Sequence, residues 1–247
     1  MNLRAPSDRQ SGLCDVESPT NLLLRGLDPN SFGLVQPYLQ PCRLERGAEE
    51  AVGEDQEPLV LFPERGVLNL LILTGGTACP VAVLGREGLA NHHVLFPQPR
   101  PSYRVSVQVE GSALAIKASD FRKLVSTVPQ MRNAYLSFVS SIELQVASTL
   151  RSSMSDTVER RLARLLLMFR DRTDDDLLPL LHSHLSEVLG VRRASITDAL
   201  HRLEGQSAIS NTRGVVTIRQ RSVLEEIASA SYGVAEMVNR CPVRHVA

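Results

Sequence analysis

Six arginines fall between His182 and Arg221, at positions 192, 193, 202, 213, 219 and 221, against only Glu187, Asp198 and Glu204. Guanidinium groups donate to phosphate oxygens and, in bidentate fashion, to guanine O6 and N7, so a cluster of them suits a nucleic acid. The spacing of the apolar residues around them is more specific than the charge. Leu185, Val188 and Leu189 share one face of a short helix, Gly190 supplies a turn where φ can be positive, and Val191, Ile196, Leu200 and Leu203 face inward from a second helix. Ser186 is small where two such helices must cross. The outward side of the second helix then carries Arg192, Arg193, Ala194, Ser195, Thr197, His201 and Arg202. Among these, Arg193 in the first turn can read guanine, Ala194 can touch a thymine methyl, and Asp198 is repelled by phosphate and is expected to pair with Arg202.

Two amphipathic helices joined at a glycine also describe an ordinary αα-hairpin. The next segment separates the two readings. A run beginning at Ile209 turns at Asn211-Thr212-Arg213-Gly214 and returns through Val215, Thr217 and Arg219, with Val216 and Ile218 on the other face. Turn residues between two β-prone runs predict a hairpin. A hairpin directly after a recognition helix, with Arg213 at its tip and Arg219 and Arg221 nearby, is the wing of a winged helix-turn-helix, whose partner is duplex DNA.

The rest of the chain must position this unit. Its 247 residues are 43% hydrophobic and carry no formal net charge, so there is room for two cores and any attraction to phosphate must be local. Residues 1–20, rich in Ser, Pro, Asp and Arg, read as a flexible tail. Residues 21–125 read as an effector or sensor domain: helical pieces at 22–24 and 31–39, then short strands at 59–62, 67–73, 79–84, 104–109 and 113–116. Turns are expected at Glu64-Arg65-Gly66, Gly75-Gly76, Gly85-Arg86-Glu87-Gly88 and Glu110-Gly111. Regular short strands with glycine turns imply a small barrel or roll.

Residues 126–154 change period. Thr127, Pro129 and Gln130 fit a capped helix start, and Met131, Tyr135, Phe138, Ile142, Val146 and Thr149 form an apolar stripe beside the small residues Ser140, Ser141, Ala147 and Ser148. A long helix between two domains has little of its own chain to cover that stripe, which is therefore expected to form a homodimer interface. Asp156 and Glu159 suggest a second cap-and-box start, opening a DNA-binding domain over 155–230 and leaving 231–247 as a C-terminal tail. Asp174-Asp175-Asp176 lacks the glycine and distal Glu of a cation loop and reads as a solvated turn.

Several classes fall away. No apolar run is long enough for a membrane span or signal peptide, and a cytoplasmic location is expected. Cys14, Cys42, Cys79 and Cys241 lack the spacing of a zinc or iron–sulfur site and read as inert thiols, and His92-His93 reads as structural; no metal or cofactor is expected. No nucleophile–base set or phosphate-binding loop supports an enzyme.

A roll, a long helix and a winged helix in that order resemble the Crp/Fnr superfamily of bacterial transcription regulators, with the likeness running over residues 21–230 and strongest over 185–209. The resemblance implies an α+β chain: an N-terminal β-roll (a double-stranded β-helix like that of cyclic-nucleotide-binding domains), a dimerisation helix and a C-terminal winged helix-turn-helix. It implies regulation of transcription through a palindromic operator, with RNA polymerase as a further partner. This chain is a divergent member. The family's recognition helix opens Ser-Arg-Glu with a further Arg four residues on, whereas here Arg192, Arg193, Ala194 and Asp198 stand in those places, so a different operator is expected. In the cyclic-nucleotide members an adjacent Gly-Glu and an Arg-Ser or Arg-Thr pair hold the ligand. Here Gly85 and Glu87 are separated, and Arg100-Pro101-Ser102-Tyr103-Arg104 is interrupted by proline. A pocket of Gly85, Glu87, Arg100 and Arg104 is thus expected to be vestigial or to serve another effector, without tight binding of cyclic AMP. The competing reading is a small-molecule or redox sensor acting through protein contacts.

Overall fold

A computed structural model describes residues 2–4, 14–52, 57–75, 77–96 and 103–233. After strand β1 (Asn2–Arg4) come helices α1 (Leu22–Arg25) and α2 (Pro29–Val35), then strands β2 (Gln40–Leu44), β3 (Glu49–Val52), β4 (Leu59–Thr74), β5 (Thr77–Leu84) and β6 (Tyr103–Lys117). Helices α3 (Ala118–Thr127), α4 (Pro129–Ser155) and α5 (Val158–Thr173) follow. The chain ends in β7 (Leu177–Leu178), α6 (His182–Leu189), α7 (Arg193–Gly205), β8 (Ile209–Thr212), β9 (Val215–Ile218) and α8 (Arg221–Ala228). The roll is a six-stranded sheet ordered β1-β3-β6-β4-β5, with β2 also on β6, and the wing is a three-stranded sheet ordered β7-β9-β8. No helix among the described residues is long and apolar enough to cross a membrane.

Two of the expected turns are not turns. The runs before and after Glu64-Arg65-Gly66 are one strand, β4, of 16 residues, and those flanking Glu110-Gly111 are one strand, β6, of 15. The two pair antiparallel from Leu59↔Lys117 to Ile72↔Tyr103, with shifts in register between Pro63 and Leu68. There the backbones close on each other: a Cβ on Gly111 would stand 2.2 Å from Arg65 O, and one on Gly66 (φ +95°) 2.6 Å from Val109 O. Glycine marks a bulged bend where two strands touch, which locally reads like a turn.

Order also begins before residue 21. Buried Glu64 accepts from Thr20 N (2.6 Å) and Asn21 N (3.1 Å), while the buried Asn21 amide donates to Pro63 O and Gly88 O and its oxygen caps α1. Cys14 is half-buried, with Sγ 3.5 Å from Ala113 O. The remainder of the expected tail, the segment 97–102 that contains Arg100, and most of the expected C-terminal tail with Cys241 lie outside the described residues.

The described residues form two apolar cores. One fills the roll; the other joins α5 to the helices and wing of the C-terminal unit and takes in Val67 and Val83 from the roll. Helix α4 spans the junction, and its caps differ from the expected ones. Its N-cap is Val128, because Thr127 still belongs to α3, and Pro129 occupies the first turn. The Gln130 side chain accepts from Asp28 N instead of closing a box. Helix α5 is capped by Thr157, whose oxygen accepts from Arg160 N, one residue later than the expected Asp156.

The stripe expected to meet a second copy is the helix's intramolecular face. Met131, Tyr135, Phe138 and Ile142 are buried in the roll's own core, Val146 packs against it, and Thr149 accepts from Arg164 Nη1 at 3.0 Å. Length alone does not leave the helix uncovered, since the roll curls back along it. Gln145 fastens the pair, its amide bonding both Val83 N (2.6 Å) and Val83 O (3.1 Å). The opposite face carries Leu136, Leu150 and Met154, which are 55%, 60% and 81% exposed.

Candidate nucleic-acid interface

Helix α6 ends at Gly190, which adopts φ +62° and lets its N–H reach Ser186 O and Glu187 O. The Ser186 hydroxyl donates to Val191 O at 2.5 Å, so this residue does more than leave room: it holds the turn. Arg161 of α5 donates to Leu189 O, covering a carbonyl that the helix end leaves open. Leu185, Ile196, Ala199, Leu200 and Leu203 are buried between α6, α7 and α5. The segment therefore folds as its apolar spacing demands.

With those residues inward, Arg192, Arg193, Ala194, His201 and Arg202 are exposed along α7, and Ser195 and Thr197 are half-buried. Arg192 is the N-cap residue and Arg193 the first helical one. Neither they nor Arg213 make a side-chain hydrogen bond or ion pair among the described residues, so all three guanidinium groups are free to meet an anion. Arg202 faces Glu159 of α5 at 3.8 Å; the expected Asp198–Arg202 pair is not its contact. The wing pairs Ile209↔Ile218 through Thr212↔Val215, closed by Arg213-Gly214 alone, with Val216 and Ile218 buried. Asn211 and Thr212, expected in the turn, are in the strand.

One connection has no counterpart in the sequence pattern. The His182 ring bridges α7 and the wing, with Nδ1 3.4 Å from Thr197 Oγ1 and Nε2 3.3 Å from Asn211 Nδ2. Thr197 Oγ1 spends its proton on Arg193 O at 3.1 Å, and Asn211 Nδ2 is a donor. The directions of these bonds assign the imidazole proton to Nδ1. The separation of 15 residues to Thr197 and 29 to Asn211 leaves no local pattern by which this could be read in advance.

Arg221 leaves the basic surface. Its guanidinium meets Asp171 (2.8 Å), Glu225 (2.8 Å) and Tyr232 Oη (2.7 Å), and although burial opposes its charge, those partners push its pKa up. Arg219 is held to Ser210 Oγ at 3.2 Å.

The expected effector residues fare differently. Glu87 is packed against α5: Arg172 Nε and Nη2 both lie 2.7 Å from its Oε1, with the two side chains 10% and 3% exposed. Gly85 lies directly beneath that arginine, where a Cβ would come within 2.6 Å of its Cγ. Arg86 pairs with Asp174, which has a left-handed backbone at φ +54°, so the acidic run is partly an interdomain contact. Arg104 is half-buried on β6 opposite Leu71, and Glu87's hydrogen bonds are to Arg172 and Gly85 N, not to it. Nearby, His92 is buried among the rings of Phe96, Tyr103 and Phe138, and burial lowers its pKa to about 4. A short 3-10 turn lets His92 and His93 both face Tyr103. No metal-ligating cluster occurs among the described residues.

Comparison with known proteins agrees with this architecture. Residues 160–227 match the Crp-like helix-turn-helix domain. The chain is 22% identical over 207 residues to the cyclic AMP receptor protein of Thermus thermophilus, covering 83% of this chain and 96% of that one. Among solved structures, FixK2 of Bradyrhizobium japonicum superposes with a TM-score of 0.60 at 17% identity, over 78% of this chain and 98% of the other. The c-di-GMP-responsive regulator CLP of Xanthomonas campestris gives 0.61 at 12%, over 77% and 99%.

Proposed function

As a member of the Crp/Fnr family of transcription regulators, this chain, we propose, binds a palindromic duplex operator as a homodimer, with α7 in the major groove and the wing on the backbone. The observation that carries the reading is the placement of Arg193: the first residue of α7, exposed and unengaged among the described residues, beside a wing whose tip presents Arg213 in the same state. Arg193 reads a base; Arg192 and Arg213 hold phosphates. Binding selections with two variants test the division of labour. Arg193→Ala should cost about 1–3 kcal/mol on the preferred site and relax one base pair, while Arg213→Ala should weaken all sequences alike and make the salt slope shallower by about one unit. Equal losses on specific and random duplexes for both variants would overturn it.

The exposed face of α4 is the dimer surface in this reading. Positions 136, 140, 143, 147, 150 and 154 recur at four and three residues, with Leu136, Ala147, Leu150 and Met154 as the apolar ones. That is the period of a two-stranded coiled coil; Ser140 and Ala147 are small enough to let two α4 helices lie close, and Glu143 is the one charged residue on the stripe.

The effector is not cyclic AMP held as the family's cyclic-nucleotide members hold it, because Glu87 is committed to Arg172. Freeing it for a ribose would leave Arg172 buried without its carboxylate. Calorimetric titration that returned micromolar affinity for cyclic AMP, abolished by Glu87→Gln, would contradict this.

A further inference from the structure

Helix α7 buries Ile196, Ala199, Leu200 and Leu203 in the second core, and its opposite side carries Ala194, Asp198, His201 and Gly205, all exposed and recurring at four, three and four residues. The middle of the face that would enter a groove therefore holds a carboxylate. Its neighbours do not neutralise it. Arg202 turns to Glu159, Thr197 Oγ1 spends its proton on Arg193 O, and Asp198 makes no side-chain hydrogen bond or ion pair among the described residues. The other acid of this helix, Glu204, by contrast accepts from Asn211 N at 2.9 Å.

An unpaired carboxylate pressed against a polyanion opposes binding unless it meets a donor. In the major groove the donors are the N4 amino group of cytosine and the N6 amino group of adenine; guanine O6 and N7 and thymine O4 are acceptors, and adenine N7 stands beside N6. Cytosine alone offers an amino group with no acceptor on the same base edge. We propose that Asp198 is a specificity-determining residue of the operator contact, its carboxylate accepting from cytosine N4 and excluding guanine and thymine at that position. This assignment rests on the operator reading above, with α7 in the major groove. Arg193 and Asp198 are the first and sixth residues of α7, about 7.5 Å apart along its axis at about 1.5 Å per residue. With bases stacked about 3.4 Å apart, the cytosine lies about two base pairs from the guanine that Arg193 reads.

Binding selections from a randomised duplex library, with the full chain, Asp198→Ala and Asp198→Asn, test the role. The unmodified protein should prefer cytosine to guanine at one position by about tenfold or more. Asp198→Ala should lose that preference to within about twofold, keep the guanine read by Arg193, and bind random duplex at least as tightly as before, since a charge repelled by phosphate is gone. Asp198→Asn should move the preference from cytosine to adenine, whose N6 and N7 match a carboxamide. A carboxylate that only repelled DNA would leave one sequence preference in all three proteins, with affinity raised alike on every duplex by the two substitutions, and that result would overturn the assignment. Loss of preference at every position in Asp198→Ala would overturn it as well, because the residue would then be supporting the helix. If the unmodified protein enriched no sequence, operator binding itself would be refuted; an enriched sequence that Asp198→Ala left unchanged would refute the role of Asp198 alone.

Discussion

Replacing Arg172 by Met removes a guanidinium that is 3% exposed and leaves the Glu87 carboxylate, 10% exposed, with only the Gly85 N–H at 3.2 Å. Breaking a buried pair from one side costs about 3–5 kcal/mol, because a desolvated charge is left behind. For a chain of this length each kcal/mol shifts the melting temperature by about 2–4 °C, so Arg172→Met should melt about 6–20 °C lower. Glu87→Gln strands the arginine instead, though Arg172 Nη1 keeps its bond to Met168 O at 2.8 Å, and should cost less. The double variant has no buried charge to abandon and should be more stable than Arg172→Met alone, with a coupling of about 2 kcal/mol or more. Urea unfolding of all four proteins at pH 7 measures the cycle. If the two single losses summed to the double within about 0.5 kcal/mol, the pair would not be an interdomain clasp.

Burial holds the His92 imidazole neutral down to about pH 4, whereas the unfolded chain takes up that proton near 6.5, so its contribution is complete above 6.5 and lost as pH falls toward 4. Acid unfolding should therefore remove about 3 kcal/mol across that window, and His92→Phe should flatten the fall; an unchanged pH profile would contradict it. Leu150→Glu should convert the proposed dimer to a folded monomer with weakened operator binding, whereas Phe138→Asp should unfold the roll; sedimentation and circular dichroism separate the two outcomes. A dimer surviving Leu150→Glu together with Leu136→Glu would remove the exposed face of α4 from the interface.

What sequence spacing conveys is which residues share a face, and at α6, α7 and the wing that is sufficient, since the buried set is local. Leu185, Ile196, Leu200, Leu203, Val216 and Ile218 all face inward as their periods require. Helix α4 defeats the same logic because it has two usable stripes. Met131-Tyr135-Phe138-Ile142 and Leu136-Leu150-Met154 both fit a helical repeat, and only the fold of the roll decides which one the chain covers itself. Glu87 illustrates a different blindness. A carboxylate between two glycines reads as a ligand group, while the arginine that claims it lies 85 residues away. The glycines at 66 and 111 look like turns because sequence reports that a backbone needs room, not whether it needs it to reverse or to pass another strand.

The second core has a consequence for how the molecule comes apart. Val67 and Val83 of the roll are buried with Leu166, Phe169 and Leu200 of the C-terminal unit, and Arg46 reaches across to Pro179 O at 2.8 Å. A protease acting on the native protein can reach the α4–α5 junction, where Ser153, Met154, Ser155 and Thr157 are exposed, yet the shared core should hold the two pieces together after cleavage there. A fragment begun at Val158 would carry α5 with its roll-facing side bare, and would tend to aggregate unless the polypeptide that shields it were supplied.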